Sequence, residues 1–326
     1  MHKKSPRESL RTQEEVMAFW KDDPKRIVVS ICCITFNHEA YIEDALVGFL
    51  IQETDFPFEI LVHDDASTDR TAETIRKYAK AYPDLIKPIY QSENQYSQGK
   101  RAMMTLSPYC KGQYIAICEG DDYWTDVTKI QKQIAFLEAN HDYVISGHDA
   151  VIIDETGLLL SESKLPAIAK RDFSGEELIM GHGMILTMSR VFRNIDFPDI
   201  PERKMVKNGD AFTRSLIGHY GKSHYHDDIQ PAVYRVHSGG VWSSLSDSEQ
   251  KESHINTWFW LYQYYQRVGA EVYSKHYWKK YLRVVFRRAK ITDLTREYVI
   301  RLLRLEQFKA ALRTLTYALK QRFKDK

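Results

Sequence analysis

The pattern of apolar and polar positions divides the chain into two rhythms. Ile27 to Ile34 is a continuous apolar, β-branched run, the mark of a strand buried on both faces. Thr35-Phe36-Asn37-His38-Glu39 breaks it, and Tyr41, Ile42, Ala45, Leu46, Phe49 and Leu50 then recur at helical spacing to about Gln52. Glu59 to His63 predicts a second strand, about Thr71 to Tyr82 a helix, Ile86 to Gln91 a third strand and Tyr114 to Cys118 a fourth. A helix over about Thr128 to Asn140 puts Ile130, Ile134 and Leu137 on one face. Strands alternating with helices predict an α/β fold: a mostly parallel, Rossmann-like sheet with helices on both faces.

The second half has another pattern. Tyr143 to Ile153 predicts one strand, Asp154-Glu155-Thr156-Gly157 a turn, and Leu158 to Ser161 its return. Ser174 and Glu177 have capping-box spacing, and Gly183 to Met188 predicts a further strand. Asp210 opens an amphipathic helix carrying Phe212, Leu216 and Ile217, which ends near Gly218 and Gly221. Beyond about Ser246 the chain turns helical, aromatic and basic. The expected organisation is an arm over 1–26 with an amphipathic piece around Val16, Phe19 and Trp20, a main domain over 27–245 whose rhythm changes between 142 and 143, and a helical extension over 246–326.

Composition refines this picture in one respect. A length of 326 residues with 43% hydrophobic and 12% aromatic content supports one large domain with an appendage, or two domains. The net charge of +2 conceals an asymmetry: Ile255 to Lys326 carries 17 Lys and Arg against 5 Asp and Glu. The tail therefore stands near +12 and the first 254 residues near −10. Such a tail suits an anionic neighbour, whether a membrane surface, a partner or nucleic acid. Cys32, Cys33, Cys110 and Cys118 sit mostly in apolar runs without metal-type spacing, as small buried hydrophobes do in a reducing compartment. No apolar stretch approaches the ~18 residues of a membrane span. Met1 to Leu10 is polar and lacks the apolar core of a signal peptide, so a cytoplasmic protein is expected.

The chemistry concentrates in Glu119-Gly120-Asp121-Asp122-Tyr123-Trp124, directly after the fourth strand. Two adjacent carboxylates at a strand end are costly unless water, a metal or a cation compensates them. Open parallel sheets bind ligands at the carboxyl ends of their strands. A divalent cation carrying phosphate oxygens is the natural occupant, which predicts a metal–nucleotide site on Asp121 and Asp122.

This stretch does not stand alone. Val29-Ser-Ile-Cys-Cys-Ile-Thr-Phe-Asn37, Glu59-Ile-Leu-Val-His-Asp-Asp-Ala-Ser-Thr-Asp69, the acidic stretch, Gly209-Asp210 and Val233-Tyr-Arg-Val-His-Ser-Gly-Gly-Val-Trp242 follow one another along the chain. Together, over about residues 27 to 245, they resemble the inverting family-2 glycosyltransferases with the GT-A fold, of the bacterial surface-polysaccharide type. The acidic motif reads Gly-Asp-Asp rather than Asp-x-Asp, and the arm and the extension lie outside the resemblance.

The resemblance implies a nucleotide-sugar half over 27–142 and an acceptor half over 143–245. It places Thr35, Phe36 and Glu39 at the nucleobase and ribose, with a short polar residue and an aromatic face for the base. Asp65 would accept the imide N–H of a uracil or thymine through a charge-assisted bond. Asp121 would contact the ribose. Asp122 would hold Mn²⁺ or Mg²⁺, with His237 as a second ligand or a diphosphate contact. Arg235 suits phosphate, Gly239 and Gly240 a loop close to the nucleotide, and Lys100 and Arg101 a cation beside the donor. Asp210 would be the catalytic base for the acceptor hydroxyl; its plainer alternative is a helix N-cap.

The implied function is metal-dependent, inverting transfer of a sugar from a nucleoside diphosphate, UDP first and dTDP next, to a saccharide or lipid-linked saccharide. Two rivals remain: a non-catalytic nucleotide- or glycan-binding protein of the same fold, and a nucleotidyltransferase. The joint presence of Asp121, Asp122 and Asp210 weighs against the first, and the absence of a Gly-rich basic loop after the first strand against the second. His224, His226, Asp227 and Asp228 form a polar cluster with no role in the family pattern. The basic tail, with Trp258, Trp260, Tyr264, Tyr277 and Trp278, either docks on anionic lipid as a peripheral membrane contact or packs on the catalytic domain. No motif supports nucleic-acid binding.

Overall fold

A computed structural model describes residues 10–240, 242 and 244–288. In chain order its elements are α1 (Gln13–Met17), β1 (Val29–Thr35), α2 (Ile42–Leu50), β2 (Phe58–Asp64), α3 (Thr71–Ala81), β3 (Ile86–Tyr90), α4 (Ala102–Leu106), β4 (Tyr114–Glu119) and α5 (Lys129–Ala139). They continue as β5 (Tyr143–Gly147), β6 (Ala150–Asp154), β7 (Leu159–Ser161), α6 (Gly175–Ile179), β8 (Val191–Arg193), α7 (Gly209–Ile217), β9 (Lys222–Tyr225), β10 (Ala232–Val236), α8 (Asp247–Arg267) and α9 (Glu271–Arg288).

Among the described residues the main sheet has seven strands in the order β3-β2-β1-β4-β8-β5-β9. The pairs β1/β2, β1/β4, β2/β3 and β5/β9 are parallel, while β8 runs antiparallel to both β4 and β5. Two antiparallel steps restore direction, so β1, β2, β4, β5 and β9 all end on one edge. Side-chain alternation then sorts the core. Val29, Ile31 and Cys33, with Phe58, Ile60, Val62, Ala116 and Cys118, face α2, α3 and α5; Cys32, Leu61, Ile115 and Ile117 face Leu106 of α4, Leu178 of α6 and Ile217 of α7. This is the expected α/β arrangement, a mostly parallel sheet with helices on both faces, followed along the chain by the helices α8 and α9. From residue 10 on, the segment expected as a charged arm packs down: Val16 is buried, the Trp20 ring meets Phe58 edge-on at 5.7 Å, and Arg11 donates to the carbonyls of Ile51 and Gln52.

The run Tyr143 to Ile153, predicted as one strand, is two strands in different sheets. Asp149 makes the break: buried, it accepts the amides of Ala150, Lys164 and Leu165 on Oδ1, and takes the Ser163 hydroxyl and the Lys170 ammonium on Oδ2. β6 then joins β10 and β7 in a three-stranded sheet. Gly183 to Met188, also predicted as a strand, is not one: it leads into a 3₁₀ turn over Thr187–Ser189, and Val191–Arg193 pairs in its place.

The chain forms two compact units. One runs through Asp199 and resumes over Thr213–Leu245; the other joins Ile200–Phe212 to the chain from Ser246 onward. Within the second, Ser253, Thr257, Leu261 and Tyr265 line the buried side of α8 at four-residue intervals. The Tyr265 ring stacks on Tyr277 of α9 at 5.8 Å, and Arg267 holds Glu202 with two bonds of 2.6 and 2.7 Å. Much of the basic tail, from Ala289 on, lies outside the described residues, and the question of its membrane contact lies there with it. No described helix is long and apolar enough to cross a membrane.

Candidate functional site

The site grows from the carboxyl edge of the main sheet. β1 ends at Thr35, which is buried with its hydroxyl unpartnered, and Phe36 follows, 40% exposed. Asn37 then takes a left-handed conformation, φ 54°, normally disfavoured for a side chain. Its side chain compensates: Oδ1 accepts the Thr68 amide at 2.8 Å, while its own N–H donates to the Ser67 hydroxyl. The reversal delivers His38, whose N–H donates to Thr71 Oγ1 at 2.8 Å. Ser67 and Thr68 thus tie the two acidic-edge loops together. Glu39 caps rather than projects, its Oε2 accepting the Arg70 amide at 2.9 Å.

β2 delivers Asp65, buried, with Oδ1 accepting the Gln95 amide (2.8 Å) and Oδ2 the Tyr96 amide (3.0 Å). The carboxylate therefore sets the loop that also carries Lys100, bound to Gln95, and Arg101, whose guanidinium lies 5.8 Å from the Tyr96 ring.

β4 delivers the acidic stretch. Gly120 must lack a Cβ, which would fall 2.8 Å from the Thr35 side chain. Asp121 and Asp122 then diverge. Asp121 Oδ2 stands 3.0 Å from His237 Nε2 and 3.7 Å from His38 Nε2. Burial alone would raise its pKa, but the His237 hydrogen bond and the His38 ring more than offset that and hold it below the usual carboxylate value. Asp122, expected as the metal ligand, turns inward: it is buried, and Oδ1 accepts the Arg235 amide at 2.9 Å. Burial, followed by the charges of Asp121 and Glu119, pushes its pKa well up. Tyr123 pairs with Val233 through backbone hydrogen bonds in both directions, and Trp124 Nε1 donates to the Met188 carbonyl at 2.6 Å.

β10 supplies Arg235 and, just past its end, His237. Arg235, expected at phosphate, is buried and committed elsewhere: Nη2 holds Asp44 at 2.9 Å, Nε donates to the Asp121 carbonyl, and the guanidinium lies 4.7 Å from the Tyr41 ring. Tyr41 in turn packs on His237 at 4.8 Å. Lys164 completes the surroundings, its Nζ over the Tyr234 ring at 3.3 Å; burial lowers its pKa against the charges of Asp122 and Glu119.

The structure thus gathers Thr35, Asp121, Asp122, Arg235 and His237, and adds His38, Asp44, Tyr41 and Lys164, which sequence reasoning did not single out. The one available signal was a histidine inside the Thr35-Phe-Asn-His-Glu39 break. Among the described residues, the ligand atoms of His38, Asp121 and His237 lie within 4.8 Å of one another, a donor set that suits a divalent ion. Asp210 belongs to the second unit. The cap of α7 is Asn208, whose Oδ1 accepts the Ala211 amide at 3.0 Å, so Asp210 sits in the first turn and is not the N-cap. In the downstream cluster, His224 pairs with Asp172 and His226 with Asp228, separately.

Comparison with known proteins places this geometry in context. The family description "Glycosyl transferase family 2" matches residues 30–195. An uncharacterised protein of Mycobacterium tuberculosis is 34% identical over 226 residues, 68% of this chain and 63% of its own length, so the chain matches less than two thirds of that relative. The UDP-Glc:α-D-GlcNAc-diphosphoundecaprenol β-1,3-glucosyltransferase WfaP of Escherichia coli is 29% identical over 219 residues, 66% of this chain and 79% of its own. Among solved structures, residues 1–349 of S. aureus TarS in complex with UDP-GlcNAc superpose with a TM-score of 0.56 at 18% identity, covering 90% of this chain and 81% of that one.

Proposed function

This chain belongs to glycosyl transferase family 2, and from that premise we propose that it transfers a sugar, with inversion, from a nucleoside diphosphate to an acceptor hydroxyl. The observation that carries the reading is Asp121 poised between two imidazoles on the edge where a parallel sheet binds its ligand. UDP is the favoured nucleotide. The Asp65 carboxylate and the exposed Phe36 ring, at strand ends joined by the Asp65 amide and the Thr35 carbonyl, suit the imide and the face of uracil, and WfaP takes UDP-Glc. The acceptor is a saccharide or lipid-linked saccharide of a surface glycan, as the WfaP acceptor is a diphosphoundecaprenol-linked sugar.

In the proposed mechanism Thr35, Phe36 and Asp65 bind the nucleoside. Asp210 takes the proton from the acceptor hydroxyl as its oxygen attacks the anomeric carbon opposite the leaving diphosphate. Arg235 and Asp122 hold the acidic stretch in place from within. A divalent ion, held by His38, Asp121 and His237, would supply positive charge beside the diphosphate. The test is a thermal-shift screen of UDP, dTDP, GDP and their sugars, with and without Mn²⁺. UDP should raise the melting temperature most, and more so with the ion, since a ligand bound only by the native state stabilises it. No shift with any nucleoside diphosphate would defeat the reading.

A further inference from the structure

We propose that Cys32 and Cys110 are an oxidisable pair: hydrogen peroxide converts the two thiols into a disulfide that staples β1 to the chain entering β4, and a dithiol reverses it. The proposal stands apart from the sugar-transfer reading, since neither cysteine is among the site residues.

All four cysteines are free thiols, and the sequence pattern treats them alike, as small buried hydrophobes. The structure separates them. Cys33 and Cys118 stand opposite each other on β1 and β4, sealed in the core on the α2 side of the sheet. Cys32 points to the other face, and its Sγ lies 3.5 Å from that of Cys110 across 78 positions of sequence. Cys32 is buried, whereas Cys110, between α4 and β4, is only half-buried among the described residues. The pair thus offers one sulfur that a reagent can reach and a second directly behind it, the arrangement of a reactive cysteine with a resolving partner.

The backbone on both sides is fixed. β1 is an inner strand, paired with β2 and β4. Beside Cys110, the Lys111 amide donates to Glu59 Oε1 and the Gly112 amide to Ser30 Oγ, each at 2.8 Å, and the Ser30 hydroxyl donates to the same Glu59 oxygen at 2.7 Å. A Cβ on Gly112 would fall 2.4 Å from the Ser30 backbone nitrogen, so glycine is what lets this segment lie against β1. Two sulfurs in contact on such a frame bond by side-chain rotation, without movement of the chain.

The same contact sets the order of reaction. The hydrogen bond between the sulfurs, and then burial, raises the Cys32 thiol well above its ordinary pKa. That bond lowers the pKa of Cys110, against burial and the charge of Glu59. Cys110 is therefore the nucleophile. Its thiolate attacks one peroxide oxygen, the O–O bond breaks, hydroxide leaves, and the sulfur becomes a sulfenic acid. The Cys32 sulfur then attacks the Cys110 sulfur, its proton goes to the departing hydroxyl, and water leaves. Each sulfur gives up one electron and the two peroxide oxygens take the pair, so dithiol and peroxide become disulfide and two waters. The new bond closes a loop holding β2, α3, β3 and α4. A cross-link over so long a loop restricts the unfolded chain and should raise the melting temperature by several degrees.

The test treats the reduced full chain with hydrogen peroxide, removes the excess with catalase, counts thiols in denaturant and maps unreduced peptides by mass spectrometry. A Cys32–Cys110 disulfide within one chain is expected, with thiols falling from four to two and the melting temperature rising, all restored by dithiothreitol. Cys110→Ser should keep its three thiols under the same treatment. Cys32→Ala should stop at the Cys110 sulfenic acid, which dimedone traps. If neither variant folds, the peptide map of the parent decides alone. Survival of all four thiols in the folded parent, a disulfide between other positions or between two chains, or a lower melting temperature of the oxidised form would each overturn the proposal.

Discussion

The Arg235 guanidinium reaches Asp44 at 2.9 Å across 191 positions of sequence, and joins the end of β10 to the helix that follows β1. The Arg235 side chain is 7% exposed and that of Asp44 30%. Removing the carboxylate leaves a nearly buried cation without it. Breaking a fully buried pair costs roughly 3–5 kcal/mol; the partial exposure of Asp44 brings the expected loss for Asp44→Ala to about 2 kcal/mol. Urea unfolding measures it, and Asp44→Asn, which keeps an acceptor, should lose less. A loss under ~0.5 kcal/mol would show that the pair does not hold these elements together.

Gly48 sets how closely α2 approaches the acidic stretch. A Cβ there would lie 2.9 Å from the Trp124 nitrogen and 3.0 Å from its carbonyl oxygen, both backbone atoms that cannot turn aside. Gly48→Ala should therefore cost about 1–3 kcal/mol, as overpacking does, and weaken uridine nucleotide binding through the displaced Asp121. Gly209→Ala, where the new methyl meets open space in a helix, is the contrast, expected to gain about 0.5 kcal/mol. Equal melting temperatures for the two variants would contradict the close approach.

Lys129 gives the protein a pH signature. Its ammonium is buried over the Trp124 ring at 4.1 Å and donates to Gln133; burial lowers its pKa from 10.5 to about 7. Between these two values the unfolded chain binds more protons than the folded one. This group's contribution to stability therefore rises with pH from about 7 to about 10.5 and is lowest below that window. Lys129→Met removes the dependence. The stability of the variant relative to the parent should be greatest at pH 6.5 and fall steadily to pH 9. Melting curves at three pH values decide it, and a constant or rising difference would refute the assignment.

Asp210→Asn should separate binding from turnover. With Asn208 as the cap of α7, the substitution leaves the helix start intact. UDP binding should persist while transfer falls by roughly a hundred- to ten-thousand-fold, the range of general base catalysis. An active variant would remove Asp210 from that role.

Much of the fold was legible because alternation is local. β1, β2 and β4 lie in the expected runs, since Val29 to Cys33 and Phe58 to Val62 are buried on both faces. The single strand expected over Tyr143 to Ile153 was misread because apolar runs hide a break made by one acid; Asp149 acts largely through distant partners, Ser163, Lys164, Leu165 and Lys170. The site was legible as an acidic motif at a strand end, and its internal division of labour was not. Asp121 and Asp122 are neighbours in sequence, and only the approach of β10 gives one to the imidazoles and the other to the Arg235 amide. His38 carries no sign of its direction until Asn37 turns left-handed.

The mutual backbone pairing of Tyr123 and Val233 has a bearing on how the molecule breathes. β10 is at once a strand of the small sheet and the clasp on the acidic stretch, so these amides cannot be freed one at a time. Deuterium should enter at Tyr123, Val233 and Arg235 in a single kinetic step, distinct from the rim of the sheet and from the fraying hairpin of β6 and β7. The shared rate at those three amides would then report the lifetime of the assembled centre itself.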